Sequence, residues 1–203
     1  MGVIWAPVGL IMKKLLPILI LVFTLETPSQ ADDIRDFQIE GMSIGDSLLD
    51  YFSEEEIEIK KKNGLVYPNK DYYSATFRSS KYEMYERVQF HLKATDKKYI
   101  IYSIGGKIYY PNTINNCYMK MDDIVSEIKT MFVDITIDNA DTQKHAYDKT
   151  GKSTTRSIYI DLRSGDSIAV VCTDWSDEMK YIDGLTIAID SKKFAYWLNN
   201  EAY

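Results

Sequence analysis

Gly41-Met42-Ser43-Ile44-Gly45 has the G-x-S-x-G spacing of a serine hydrolase nucleophile elbow, where a strand delivers the serine and a helix follows it. The chemistry would be acyl transfer through Ser43, with an acid and then a histidine further along. The elements that must position such a serine are missing. If the chain is cut after Ala31, only 32–40 precede Gly41, too little for the strands and oxyanion loop of that fold, and the residues that follow look antiparallel. Ser43 and Asp46 instead match the S-x-x-D signature of a helix start, so Ser43 is expected to cap a helix over 43–59.

Ala146 to Ser153 satisfies a relaxed phosphate-loop pattern with Ala at the first Gly position. A phosphate loop needs a strand before it and a helix after it, so that backbone N–H groups and the helix dipole meet the phosphates. Thr154 to Ile160 is strongly β, so a solvated loop with a Gly turn is expected, and no cofactor is implied. The chain has 2 histidines. Alternation puts His91 with Gln89 on the polar face of a strand whose other face carries Val88, Phe90 and Leu92. His145 lies near Asp138, Asp141 and Asp148 at spacings that match no metal-ligand motif, and no metal is expected.

The most distinctive stretch runs from Cys172 to Gly184 and sets Trp175 among Asp174, Asp177, Glu178 and Asp183 just beyond a strand. Two roles compete for it. As a functional loop, its aromatic and carboxylates could bind a cationic partner or a sugar, or the acids could serve a hydrolase as acid and base. As structure, Trp175 caps the core and the acids are solvated. Acids gathered in a deep pocket with shifted pKa values would favour the enzyme; a sheet face carrying exposed tyrosines would favour a binding protein.

The frame for these residues reads as α+β: two helix-plus-antiparallel-meander halves in one domain over 32–203. In the first half, Ile44, Leu48, Leu49 and Phe52 share a helical face, Lys60 to Gly64 close the helix, and strands follow over 85–92, 98–104 and 107–110, with Gly105-Gly106 as a two-residue hairpin and an extra strand around 74–78. In the second, Met121, Ile124, Val125, Ile128, Met131 and Phe132 form another helical face. A polar segment over 138–153 leads to strands at 157–162, 167–173 and 185–189, and 192–200 forms a last helix. Phe90 to Asp96 matches Ile160 to Asp166 in pattern, which marks either a degenerate repeat (38–111 and 115–203) or two common hairpin patterns that coincide.

Lys13-Lys14, the apolar run Leu15 to Phe23 and the small residues Ser29 and Ala31 have the form of a secretory signal peptide over 1–31, within which Met12 could serve as the functional start. The run is shorter than the roughly 18 to 20 apolar residues of a spanning helix, so no stable membrane span is expected after cleavage. The formal net charge of −6 gives no electrostatic footprint for nucleic acid. In an oxidising compartment Cys117 and Cys172 are either one disulfide or two buried thiols.

The stretches "DFQIEGMSIGDSLLDYFSEEEI", "VQFHLKATDKKYIIYSIGG", "NNCYMKMDDIV" and "CTDWSDEMKYIDGL" resemble a group of exported proteins of unknown function from marine alphaproteobacteria. Gly41 and Gly45, opening a helix ahead of an antiparallel sheet, are also similar to the small α+β domain of outer-membrane assembly lipoproteins of the SmpA kind, although this chain has no lipidated Cys and is longer. These resemblances imply a secreted domain and supply no catalytic residue. The repeated helix-plus-sheet plan is itself similar to that of protein-binding modules, so a non-enzymatic binding or envelope-associated protein, periplasmic or secreted and with an envelope protein as partner, is expected.

Overall fold

The computed structural model describes residues 34–111 and 113–203; the expected signal peptide lies outside them. The described strands are β1 (Tyr72–Phe77), β2 (Arg87–Lys93), β3 (Ile101–Tyr109), β4 (Thr136–Lys144), β5 (Thr154–Asp161), β6 (Ser167–Asp174) and β7 (Gly184–Asp190). They form one 7-stranded antiparallel sheet in the order β1-β2-β3-β7-β6-β5-β4. Helix α1 (Glu54–Lys62) precedes the β1–β3 meander, α2 (Ile114–Met131) precedes β4–β7, and α3 (Lys192–Asn200) ends the order. The fold is α+β.

Alternation sorts the sheet into two faces. Ala75, Phe90, Ile104, Ile187, Val170 and Ile158 point to one face, where Ile57 of α1 and Met121, Ile124 and Ile128 of α2 close the core over them. Each fully buried aliphatic or aromatic side chain there contributes roughly 1.5–3 kcal/mol. Cys117 of α2 and Cys172 of β6 are joined, with Cα atoms 6.0 Å apart and a sequence separation of 55, so the bridge ties helix to sheet. A loop of that size corresponds to about 4 kcal/mol of denatured-state entropy.

The opposite face is covered at one end only. Ser191 caps α3, accepting from the Phe194 N–H at 3.4 Å. Phe194 and Trp197 pack there against Tyr67 and Tyr72 as a small aromatic cluster. At the other end of that face the chain between β4 and β5 and the chain between β6 and β7 fold over the strand ends. Between the two covers the face is open.

Several expectations need correction. Ser43 caps no helix: a 3-10 turn occupies Leu48–Asp50, and the capping box belongs to Ser53 and Glu56, which open α1. Ser43 is buried and donates its hydroxyl to the Arg35 carbonyl at 2.9 Å, while Asp46 accepts from the Ser43 N–H at 2.9 Å. Gly41 and Gly45 have φ of +76° and +92°, so their spacing serves left-handed turns and not an elbow. Within that turn Glu40 gathers the N–H groups of Glu83, Met84 and Tyr85 at 2.8–2.9 Å, fixing the loop between β1 and β2.

Gly105-Gly106 is no hairpin but the middle of β3, and the chain turns from β2 to β3 over 94–100. Gly106 is there because a Cβ would collide with the Tyr85 ring. Gly64 lacks a left-handed φ and instead lets the Ser74 backbone approach closely. The polar segment from Asp138 contains β4, an edge strand with a bulge between Ala140 and Gln143. Its polar residues suit an edge that faces water and discourages further pairing.

Candidate functional site

The acidic cluster after Cys172 comes apart in three dimensions. Asp174 shares the helix-covered side with Cys172, near enough to Tyr118 of α2 to help raise its pKa, and its own carboxyl is raised by burial and by Asp183. Asp177 is exposed on the 3-10 turn Asp177–Met179. Glu178 pairs with Lys152, whose hydrogen bond lowers its pKa. Trp175 alone of the four turns to the open face, and its backbone N–H donates to the Asp183 carboxylate at 2.7 Å. Among the described residues no group of three or more His, Cys, Asp and Glu side chains is placed to hold a metal ion.

Trp175 belongs to an aromatic wall. Its ring lies 4.2 Å from the His145 ring and 4.9 Å from Tyr181, and Tyr181 stands 6.5 Å from Tyr147. Buried Asp148 holds this wall in place. Its carboxylate accepts from the Thr150 N–H (2.8 Å), the Ser153 N–H and hydroxyl (2.9 and 2.6 Å) and the Ser176 hydroxyl (3.1 Å). These bonds, the Ser153 hydroxyl foremost, keep its pKa far below the usual carboxylate range. The segment that mimics a phosphate loop is thus a staple between two loops, and β5, not a helix, follows it.

The wall faces cations. Arg87 on β2 and Lys107 on β3 are register partners, both half-buried and both on the open face. With Tyr109, Arg78 and Lys180 they line a cleft of about 520 Å³ against Trp175 and Tyr181. Like charges directly opposite one another across two strands destabilise a sheet by up to about 1 kcal/mol. The ion pairs among described residues are Lys61–Glu58, Lys152–Glu178, Arg156–Asp122 and Arg163–Asp134, and none involves Arg87 or Lys107.

What partly holds the two cations is Tyr109. Arg87 donates to its hydroxyl, the guanidinium stands 5.2 Å from the ring centroid, and the Lys107 ammonium stands 5.7 Å from it. Arg87 Nε–H is buried and has no acceptor among the described residues. Burial lowers the pKa of Arg87, with Arg78 adding to the effect, and burial lowers that of Lys107, with Arg87 adding. Each charge is therefore less stable here than in water.

The cleft continues into a trough of about 180 Å³, floored by Gly105 and Ala188, small residues that leave space between Lys107 and Ser103. At its far end stands a chain of polar groups under α3. Tyr67 Oη lies 2.9 Å from His91 Nε2 and His91 Nδ1 lies 3.2 Å from Ser103 Oγ, and Asp190, whose carboxyl pKa is raised by burial, is the register partner of Ser103. A neutral imidazole serves both contacts, one ring nitrogen donating and the other accepting. His91 is neutral in that chain, its pKa pushed down to about 4 by burial. It lies on the strand face the alternation gives it, but buried against Phe194 rather than in water.

Of the residues singled out in the sequence, Trp175 reaches this cleft and Asp174, Asp177 and Glu178 do not line it. Arg78, Arg87, Lys107 and Lys180 escape sequence reading because they come from four separate stretches. The signal that could have found them is local: Arg87, Gln89 and His91 on one strand and Lys107 and Tyr109 on another are polar positions of a period-2 pattern. No protein-family model matches the chain, and no curated protein matches it.

Proposed function

We propose that the protein is an exported, non-enzymatic binding module that takes an anionic envelope partner on the open face of its sheet. The observation that carries this is the Arg87–Lys107 pair: two half-buried like charges in register, with no carboxylate partner among the described residues. Tyr109 offsets only part of the cost of placing them opposite each other, and a partner bringing negative charge would relieve both. Exposed Tyr147 and Tyr181 at the rim add the amphipathic surface typical of binding sites.

Export is supported by the disulfide, which belongs to oxidising compartments. No helix among the described residues is long and apolar enough to cross a membrane. The resemblance to exported proteins fits the same reading. The hydrolase alternative is not retained, because its acids face different surroundings: Asp177 is exposed, Glu178 pairs with Lys152, and neither they nor Asp174 line the cleft.

Cross-linking the tagged protein in intact envelopes, followed by mass spectrometry, tests this. An acidic envelope component should be captured by the native protein and lost with the double variant Arg87→Glu/Lys107→Glu. Equal capture by both, or none above an unrelated exported control, overturns it.

A further inference from the structure

The cleft also has a chemistry that narrows its ligand. We infer that it is a site for a small oxyanion carried on a ring, with Arg87 and Lys107 taking the oxyanion and Trp175 and Tyr181 packing against the ring. This inference rests on the binding-module reading above and goes beyond it by naming the ligand class.

The arrangement of donors points to an oxyanion. A guanidinium presents a planar fork that matches the two oxygens of a carboxylate or the edge of a phosphate or sulfate, and a neighbouring ammonium adds a point charge. Here Nη2 of Arg87 is engaged by Tyr109, while Nε–H is shielded from water without an acceptor among the described residues. The oxyanion is therefore met by the guanidinium N–H groups that Tyr109 and burial leave available, together with the Lys107 ammonium. Lys107 stands on the neighbouring strand at the same level, and Arg78 and Lys180 extend the positive lining toward the rim. Lys180 has a left-handed backbone, φ 54°, uncommon for a side-chain-bearing residue, which ends the turn Asp177–Met179 at the cleft wall.

The requirement for a ring comes from the other wall. Trp175 and Tyr181 meet edge to face, so that neither stacks flat on the other. A flat or C–H-lined ring, aromatic or sugar, has the shape to pack there beside the cations. The volume of about 520 Å³ is that of a small-molecule site, within the roughly 300–1,000 Å³ range of such pockets. The chain is acidic overall, with a formal net charge of −6, so an anion is drawn to this cleft by its local charge and not by the molecule as a whole.

Calorimetric titration of the purified protein with glucuronic acid and with phenyl phosphate tests the inference and separates a sugar-borne carboxylate from an aryl phosphate. Glucose, phenol, acetate and inorganic phosphate serve as controls lacking either the charge or the ring. At least one of the two ring oxyanions should bind more tightly than all four controls, and its affinity should fall as NaCl is added. Arg87→Gln and Lys107→Gln should each weaken that binding by about tenfold or more. Lys107→Gln should also leave thermal stability unchanged or raised, because it removes the like-charge contact. Lys180→Gln, on the exposed rim, guards against misfolding and should weaken binding less.

Ring oxyanions that bind no better than the controls, or that bind Arg87→Gln as well as the native protein, overturn the ligand class. If that happens while envelope capture remains sensitive to Arg87→Glu/Lys107→Glu, only the ligand class is lost and the binding module stands.

Discussion

His91 shows how one residue type leads sequence reading to the right face and the wrong environment. Alternation assigns it to the polar face of β2, but α3 buries that end of the face and converts a solvated imidazole into a neutral link between Tyr67 and Ser103. This has a consequence for stability. A histidine whose pKa is about 4 when folded and roughly 6.5 when unfolded takes up its proton first in the unfolded chain as pH falls. Its contribution is complete above about pH 6.5 and is lost on acidification toward about pH 4, by up to about 3 kcal/mol. Denaturant melts between these pH values should therefore show a steeper acid loss for the native protein than for His91→Phe. Equal slopes would show that the imidazole is not held neutral. Asp190 acts in the opposite sense, since burial raises its pKa, and the variant comparison isolates the histidine.

At the level of elements, structure is legible in the sequence where periodicity is strong and hidden where a local motif has another use. Met121, Ile124, Val125 and Ile128 mark α2, and Phe194, Trp197 and Leu198 mark α3, because each stripe is buried by a sheet. β4 goes unread because an edge strand has no need of an alternating apolar face. Gly105-Gly106 has the composition of a hairpin turn, yet it lies within β3, where Gly106 makes room for the Tyr85 ring. Gly106→Ala should consequently destabilise the protein by about 1–3 kcal/mol through overpacking, with Tyr85→Ala partly restoring it in the double variant. Thermal melts of the three variants would measure this; no loss in Gly106→Ala would mean that Tyr85 does not press on the strand. Arg87 and Lys107 are polar positions whose meeting depends on the β2–β3 register, which a turn expected at Gly105-Gly106 hides.

On the scale of the whole molecule, net charge and local charge diverge. A chain of net charge −6 gathers Arg78, Arg87, Lys107 and Lys180 around one cleft, while its distinctive acids after Cys172 are spread over different surroundings. The asymmetric covering of the sheet produces the site: two helices and a disulfide close one face, α3 closes one end of the other, and the loops stapled by Asp148 raise an aromatic wall at the opposite end. On the function proposed above, this open face does the binding. A photo-reactive amino acid placed at Tyr181, on the cleft wall, or at Met119, exposed on α2, would test it in intact envelopes. Covalent capture of a partner from position 181, with none from position 119, is the outcome expected. Capture from 119 alone would place the binding surface on the helical side and contradict the account.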